Sequence, residues 1–272
     1  MKIEDSRVLV TGGNRGIGLA LAKAFAHEGA LVWIGVRNPA ADDVKAALAE
    51  IRQHSPSVSS QAPRVEAIRV DLSSRVEIEA CLPSVLKLQL DILVNNAGQL
   101  TGGLLEEQTL DDIYQMFQVN LVGLTHLTHS VLPGMLLRKR GKIINNASVS
   151  GVMNFPLAST YSAAKSGVVA LTSCLATEVK NTGVSTLTMI TPGVKTRMFD
   201  EIKVRYGAKM DLAMLEGVVD PAIWASEVID AVRDDRDVLL PRGATRAGVF
   251  FARHMPRLFG AAVSTKFSRM GI

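Results

Sequence analysis

Cysteine is scarce: the 272-residue chain has two, Cys81 and Cys174. With no C-x-x-C pair there is no zinc site of the ribbon type, and two isolated thiols do not make a disulfide framework in a chain this long. A reducing compartment is expected. Long apolar runs are missing too, since none reaches the ~18 residues that cross a bilayer. The first residues, MKIEDSRVLVTGG, carry Glu4 and Asp5 where a secretory leader would be basic and then apolar. The expectation is therefore a cytoplasmic chain. Acid is absent from Val238 onward, where all six charged residues are basic (Arg242, Arg246, Arg253, Arg257, Lys266, Arg269). The formal +4 thus belongs to the tail, and the preceding residues sum to −2. A nucleic-acid-binding domain, whose positive field would cover the body, is disfavoured.

What remains is an ordinary globular composition, 47% hydrophobic and 21% charged. A chain of this length buries roughly 75% of its unfolded surface without staples, in one core or two. Short apolar runs read as strands at Arg7–Thr11, Leu31–Val36, Val65–Val70, Ile92–Asn95, Lys142–Ala147 and Val184–Ile190, with Val238–Leu240 as a last short one. Between them lie helical patterns over Arg15–Glu28, Ala41–Gln53, Val76–Leu88, Leu110–Leu132, Ser159–Asn181 and Pro221–Asp234. This alternation predicts an α/β fold, a doubly wound, Rossmann-like parallel sheet of about seven strands with helices on both faces. His54–Pro63 reads as a polar surface insertion.

The first strand runs into Thr11-Gly12-Gly13-Asn14-Arg15-Gly16-Ile17-Gly18 and then a helix. Glycines there allow a tight turn and close approach to a pyrophosphate at the helix N-terminus. The spacing is T-G-x-x-x-G-x-G, not G-x-G-x-x-G, and no Lys-Ser/Thr pair follows as a P-loop would require. With this spacing the sequence resembles the short-chain dehydrogenase/reductase family over about residues 5 to 200. The resemblance implies cofactor contacts from Gly12, Asn14, Arg15, Gly16, Ile17 and Gly18. It adds Asp71 and Leu72 after the third strand, for the adenine, and Asn95, Ala97 and Gly98 of Asn95-Asn96-Ala97-Gly98 after the fourth, with Asn95 at the adenosine ribose.

An acid at the end of the second strand would bind a ribose 2′-hydroxyl, whereas a cation suits a 2′-phosphate. Here the strand ends Gly35-Val36-Arg37, and Arg15 could reach the same group from the loop. NADP (as NADPH) is expected in preference to NAD.

Tyr161-Ser162-Ala163-Ala164-Lys165 puts a phenol and an ammonium one helical turn apart. A nearby cation favours phenolate, so Tyr161 suits general acid or base work. Ser148 ends the fifth strand thirteen positions earlier, while Ser150, two residues on, shares its strand face and competes for the role. The family resemblance selects Ser148. It also implies that Lys165 contacts the nicotinamide ribose, that Asn120 completes a catalytic set with Ser148, Tyr161 and Lys165, and that Pro192, Gly193, Val194 and Thr196 lie against the nicotinamide. No G-x-S-x-G elbow is present, and His126 and His129 lack a further ligand, so neither a serine hydrolase nor a metal site is expected.

Beyond Thr196, the residues Met198, Phe199, Tyr206, Met210, Leu212, Met214 and Leu215, with Val152, Met153, Phe155 and Leu157 before the tyrosine, suggest a deformable apolar lid. The substrate expected is a small hydrophobic carbonyl or alcohol. One NADP-binding domain over residues 1–243 is expected, followed over residues 244–272 by a basic amphipathic extension. Drawn as a helix, its Phe251, Met255, Leu258 and Ala262 oppose Arg246, Arg253 and Arg257, with Phe250 out of pattern and Pro256 interrupting. That stripe would pack on the same domain or a sister subunit, or lie on an anionic membrane. A homo-oligomer is implied by the resemblance. Competing readings are a non-catalytic NADP(H)-sensing regulator and a membrane-associated dehydrogenase of the lipid or steroid type.

Overall fold

In a computed structural model, residues 1–55, 65–211 and 217–270 are described. Most of the His54–Pro63 insertion, and Leu212, Met214 and Leu215 of the expected lid, lie outside them. The strands β1 (Arg7–Thr11), β2 (Leu31–Val36), β3 (Val65–Arg69), β4 (Ile92–Asn95), β5 (Gly141–Asn146), β6 (Val184–Met189) and β7 (Val238–Leu239) form one sheet in the order 3-2-1-4-5-6-7, every pair parallel. The helices are α1 (Gly16–His27), α2 (Asp42–Arg52), α3 (Arg75–Lys87), α4 (Leu110–Phe117), α5 (Leu124–Arg138), α6 (Ser159–Glu178), α7 (Arg197–Tyr206), α8 (Pro221–Arg233), α9 (Gly243–His254) and α10 (Pro256–Ser264).

Burial on both faces explains the unbroken apolar strands. Val8 and Val10 of β1 pack on one side with Phe25, Trp224 and Val228, while Leu9 between them packs on the other with Leu93, Val131 and Met135. Each fully buried aliphatic or aromatic side chain contributes about 1.5–3 kcal/mol. The strand order reverses between β1 and β4, and in such sheets ligands bind beyond the strand C-termini at that switch point.

Two elements differ from expectation. The single helix over Leu110–Leu132 is instead α4, a π-helical turn at Gln118–Gly123, and α5. The widened turn carries Asn120, whose amide is tied to the backbone of Gln99: it accepts from the amide N–H at 2.9 Å and donates to the carbonyl at 2.8 Å. In the tail, the chain breaks at Met255 (φ −131°, ψ 57°) before Pro256, giving two helices. Their packed side is Val249, Ala252, Phe259 and Val263, so Phe251, Met255 and Leu258 face outward rather than forming the inward stripe. No helix among the described residues is long and apolar enough to cross a membrane.

Candidate active site

The glycine loop leaves β1 with Gly12 in the left-handed region (φ 65°) and packs so closely that a Cβ on Gly18 would lie 2.2 Å from the Gly12 carbonyl oxygen. No side chain caps the start of α1, where Arg15 is the N-cap residue. Its first N–H groups are therefore available to an anion, which fits a pyrophosphate. Arg15 and Arg37 are both exposed at this end of the sheet. Ala97 abuts Gly12, Gly98 abuts Asn120, and the Thr196 methyl sits over Gly16. Residues from four loops thus converge on one crevice.

Several expected contacts are already engaged elsewhere. The Asn14 amide donates to Asp43 at 2.8 Å. Asp71 accepts from the Ser73 N–H at 3.0 Å, the turn-capping behaviour of an aspartate. Leu72 is buried, and its carbonyl accepts from Gln118. Asn95 is not presented to a ribose: its side chain is buried in the sheet and donates to Thr128 and Asn145, at 2.8 Å each. Two residues that motif reading passed over do more. Asn96 donates to the Thr11 carbonyl at 3.0 Å and accepts from Asn146 at 3.0 Å, and Asn146 in turn accepts the Thr191 hydroxyl at 2.6 Å. The in-register pairing Asn95↔Asn145 is the signal, since two Asn-Asn pairs at adjacent strand ends place four amides side by side.

Next to this crevice, the Ser148 hydroxyl faces the Tyr161 phenol closely enough to favour its ionised form. Ser148 also accepts the Ser150 N–H at 3.1 Å as cap of a short 3-10 turn, which orients Ser148 and separates the two candidate serines. Lys165, one turn after Tyr161 on α6, is buried; its ammonium donates to the Asn146 carbonyl at 2.7 Å and lies 5.9 Å from the Tyr161 ring centre. Burial pushes the Tyr161 phenol up, with the Ser148 hydroxyl opposing, and lowers Lys165 from 10.5 to about 8. The expected lowering of the phenol by the ammonium is not among the causes of the shift; desolvation dominates it. A protonated Tyr161 is an acid ready to give its proton.

A second phenol stands close by. Tyr206, at the end of α7, is buried and donates to the Thr101 carbonyl at 3.4 Å. Burial and the neighbouring Tyr161 push it up to about 12. It packs with Leu157, Ala158 and Met210, and with Phe155 and Phe267 beside them. Val194 is buried and bridges Val219, while Pro192 and Gly193 lead into the Thr196 cap of α7.

A crevice for a dinucleotide at the switch point of a parallel sheet, beside a hydroxyl pair and a buried amine, defines a Rossmann-type oxidoreductase. The chain belongs to the short-chain dehydrogenase family, which it matches over residues 6–206. It is 31% identical over 267 residues to dehydrogenase/reductase SDR family member 7B of Rattus norvegicus, covering 94% of this chain and 80% of that one. It is 36% identical over 187 residues to 3-oxoacyl-(acyl-carrier-protein) reductase of Synechocystis, covering 68% and 72%. The fold superposes on an actinorhodin polyketide ketoreductase solved with NADPH at a TM-score of 0.71 and 30% identity, covering 83% of this chain and 90% of that one. The protein is an NAD(P)-dependent oxidoreductase acting on C=O or CH–OH groups.

Proposed function

We propose that this enzyme is an NADPH-dependent reductase of a hydrophobic ketone. The observation that carries the reading is the Ser148–Tyr161 hydroxyl pair beside the buried ammonium of Lys165. Gly12, Gly16, Gly18, Ile17 and Thr196 would hold the dinucleotide, which would supply the hydride for the carbonyl carbon. Ser148 donates to the carbonyl oxygen and holds it against Tyr161. The Tyr161 hydroxyl gives its proton to that oxygen as negative charge builds there. Lys165 stabilises the resulting phenolate and binds the nicotinamide ribose. Asn120 fixes the π-helical turn behind Lys165 and supports the route by which Tyr161 regains its proton.

Arg15 and Arg37 supply the NADP preference, two cations with no carboxylate at the end of β2. Leu157, Tyr206 and Met210 make the wall that favours an apolar substrate. The keto-group reductases among the relatives support the direction of reaction. The same reading carries a homo-oligomer paired through α4, α5 and α6, where Leu110 and Tyr114 are exposed, working in the cytoplasm. Residues 1–243 form its catalytic unit. The test is a titration with NADPH against NADH, followed by a ketone panel of increasing apolar size. Tyr161→Phe should keep cofactor binding and lose turnover by about 10²–10⁴-fold. A Tyr161→Phe enzyme that turns over ketones normally, or a wild type inert to the whole panel, would favour an NADP(H)-sensing regulator.

A further inference from the structure

The tail hairpin has two faces, and the core accounts for only one. Inward, Ala252, Phe259 and Val263 pack against Met153 and Phe155, with the Phe155 and Phe259 rings meeting edge-on at 6.0 Å. Outward, four large apolar side chains stand in solvent around the break between α9 and α10: Phe250 is 64% exposed, Leu258 58%, Met255 51% and Phe251 36%. They are not spare core residues, because the inward face is already filled.

The charges divide the same way. Of the six basic residues from Val238 onward, three are held by acids of the body: Arg242 by Glu227 at 3.0 Å, Lys266 by Asp211 at 2.9 Å, and Arg269 by Glu106. The other three, Arg246, Arg253 and Arg257, sit on the hairpin among the exposed apolar groups and form no ion pair among the described residues. No acid follows Asp237 to compensate them. Unpaired guanidinium groups bordering projecting Phe, Met and Leu match a surface with anionic headgroups above an apolar layer.

We propose that the outward face of the α9–α10 hairpin docks on an anionic lipid surface. The inward face packs on Phe155, which also packs on Leu157, Tyr206 and Met210, and the segment after α10 is clasped to the end of α7. Phe267 bridges Met210, the Asp211 N–H donates to the Lys266 carbonyl at 2.9 Å, and the Ser268 N–H donates to the Lys209 carbonyl at 2.9 Å. Docking therefore brings the buried cluster of Leu157, Tyr206 and Met210, the substrate wall of the reading above, near the acyl layer. An amphiphilic ketone dissolved in lipid is the substrate class this favours, a point that rests on the reductase reading above.

The experiment is co-sedimentation of the full chain with vesicles of phosphatidylcholine alone and of equal parts phosphatidylcholine and phosphatidylglycerol, at low and high salt, with size-exclusion chromatography alongside. Wild type should pellet with the anionic vesicles, less so at high salt. The double variant Phe250→Ser, Leu258→Ser should bind at least about tenfold more weakly. Arg253→Gln with Arg257→Gln should weaken binding by roughly thirty-fold. Both variants change solvent-facing groups, so circular dichroism and reduction of a water-soluble ketone should match wild type. The proposal is overturned if wild type stays in the supernatant with every vesicle. It is equally overturned if the serine variant pellets like wild type, which would leave nonspecific charge attraction. A wild-type oligomer that the serine variant splits, without vesicle binding, would make the face a contact between copies. Pelleting needs no turnover, so vesicle binding by an enzyme inert to ketones would sink the reductase reading and leave this one standing.

Discussion

Lys165 sets two properties against each other. Its side chain is 4% exposed, and burial lowers its pKa from 10.5 to about 8, a penalty of about 3 kcal/mol on the charged form. Catalysis needs the charge. In the free enzyme kcat/KM for ketone reduction should therefore fall above about pH 8, approaching tenfold per pH unit, as the ammonium is lost. Stability should move the other way. Between about pH 8 and pH 10.5 the unfolded chain holds this proton and the folded chain does not, so this group's contribution to stability rises with pH. Lys165→Met removes the buried charge and keeps most of the volume, while losing the hydrogen bond to Asn146. At pH 7 it should be more stable than wild type by about 1–3 kcal/mol in urea unfolding, with turnover abolished. The gain should shrink as the pH nears 10.5, where wild type folds with a neutral amine. A methionine variant less stable than wild type at pH 7, by a margin indifferent to pH, would refute the account.

Other perturbations separate the parts of the structure. Gly18→Ala should abolish nucleotide binding measured by fluorescence titration, because its methyl would lie 2.2 Å from the Gly12 carbonyl oxygen. Arg37→Asp should reverse the NADPH-to-NADH preference by at least about tenfold in kcat/KM, one charge-assisted contact being worth about 1.5–3 kcal/mol; an unchanged ratio would remove Arg37 from the 2′-phosphate. Asp235→Ala should lower stability by about 2–3 kcal/mol, since it leaves the fully buried Lys142 ammonium, now 2.6 Å from that carboxylate, with only Ser185 and the Arg236 carbonyl. Denaturation midpoints close to wild type would show that those two suffice.

The sheet was legible because seven parallel strands need apolar residues on both faces, and such runs stand out between amphipathic helices. The candidate cluster was legible less from Tyr161 and Lys165 lying one turn apart, a commonplace pairing, than from the family resemblance that set Ser148 and Asn120 beside them. What escaped depends on tertiary partners. The π-helical turn at Asn120 arises where the side chain grips a loop 21 residues away, which no local period encodes. Helix α7 buries only Phe199 and Tyr206, too few to mark a stripe. In the tail, Phe251, Met255 and Leu258 read as one apolar side interrupted at Pro256, but which residues turn inward was not legible: the break reorients α10 and buries Phe259 and Val263 instead. Tyr206, placed in a general lid by composition, comes within electrostatic reach of Tyr161 only once α7 folds over Leu157.

The asparagines at the ends of β4 and β5 work as two locked pairs. Asn95 holds Asn145, Asn146 holds Asn96, and the carbonyl of Asn146 holds the Lys165 ammonium. Changing Asn96 strands the Asn146 amide it holds, so a substitution there should disturb Lys165 although it removes no atom from it. Redesign of this crevice would have to treat each pair as one unit, exchanged together or left alone.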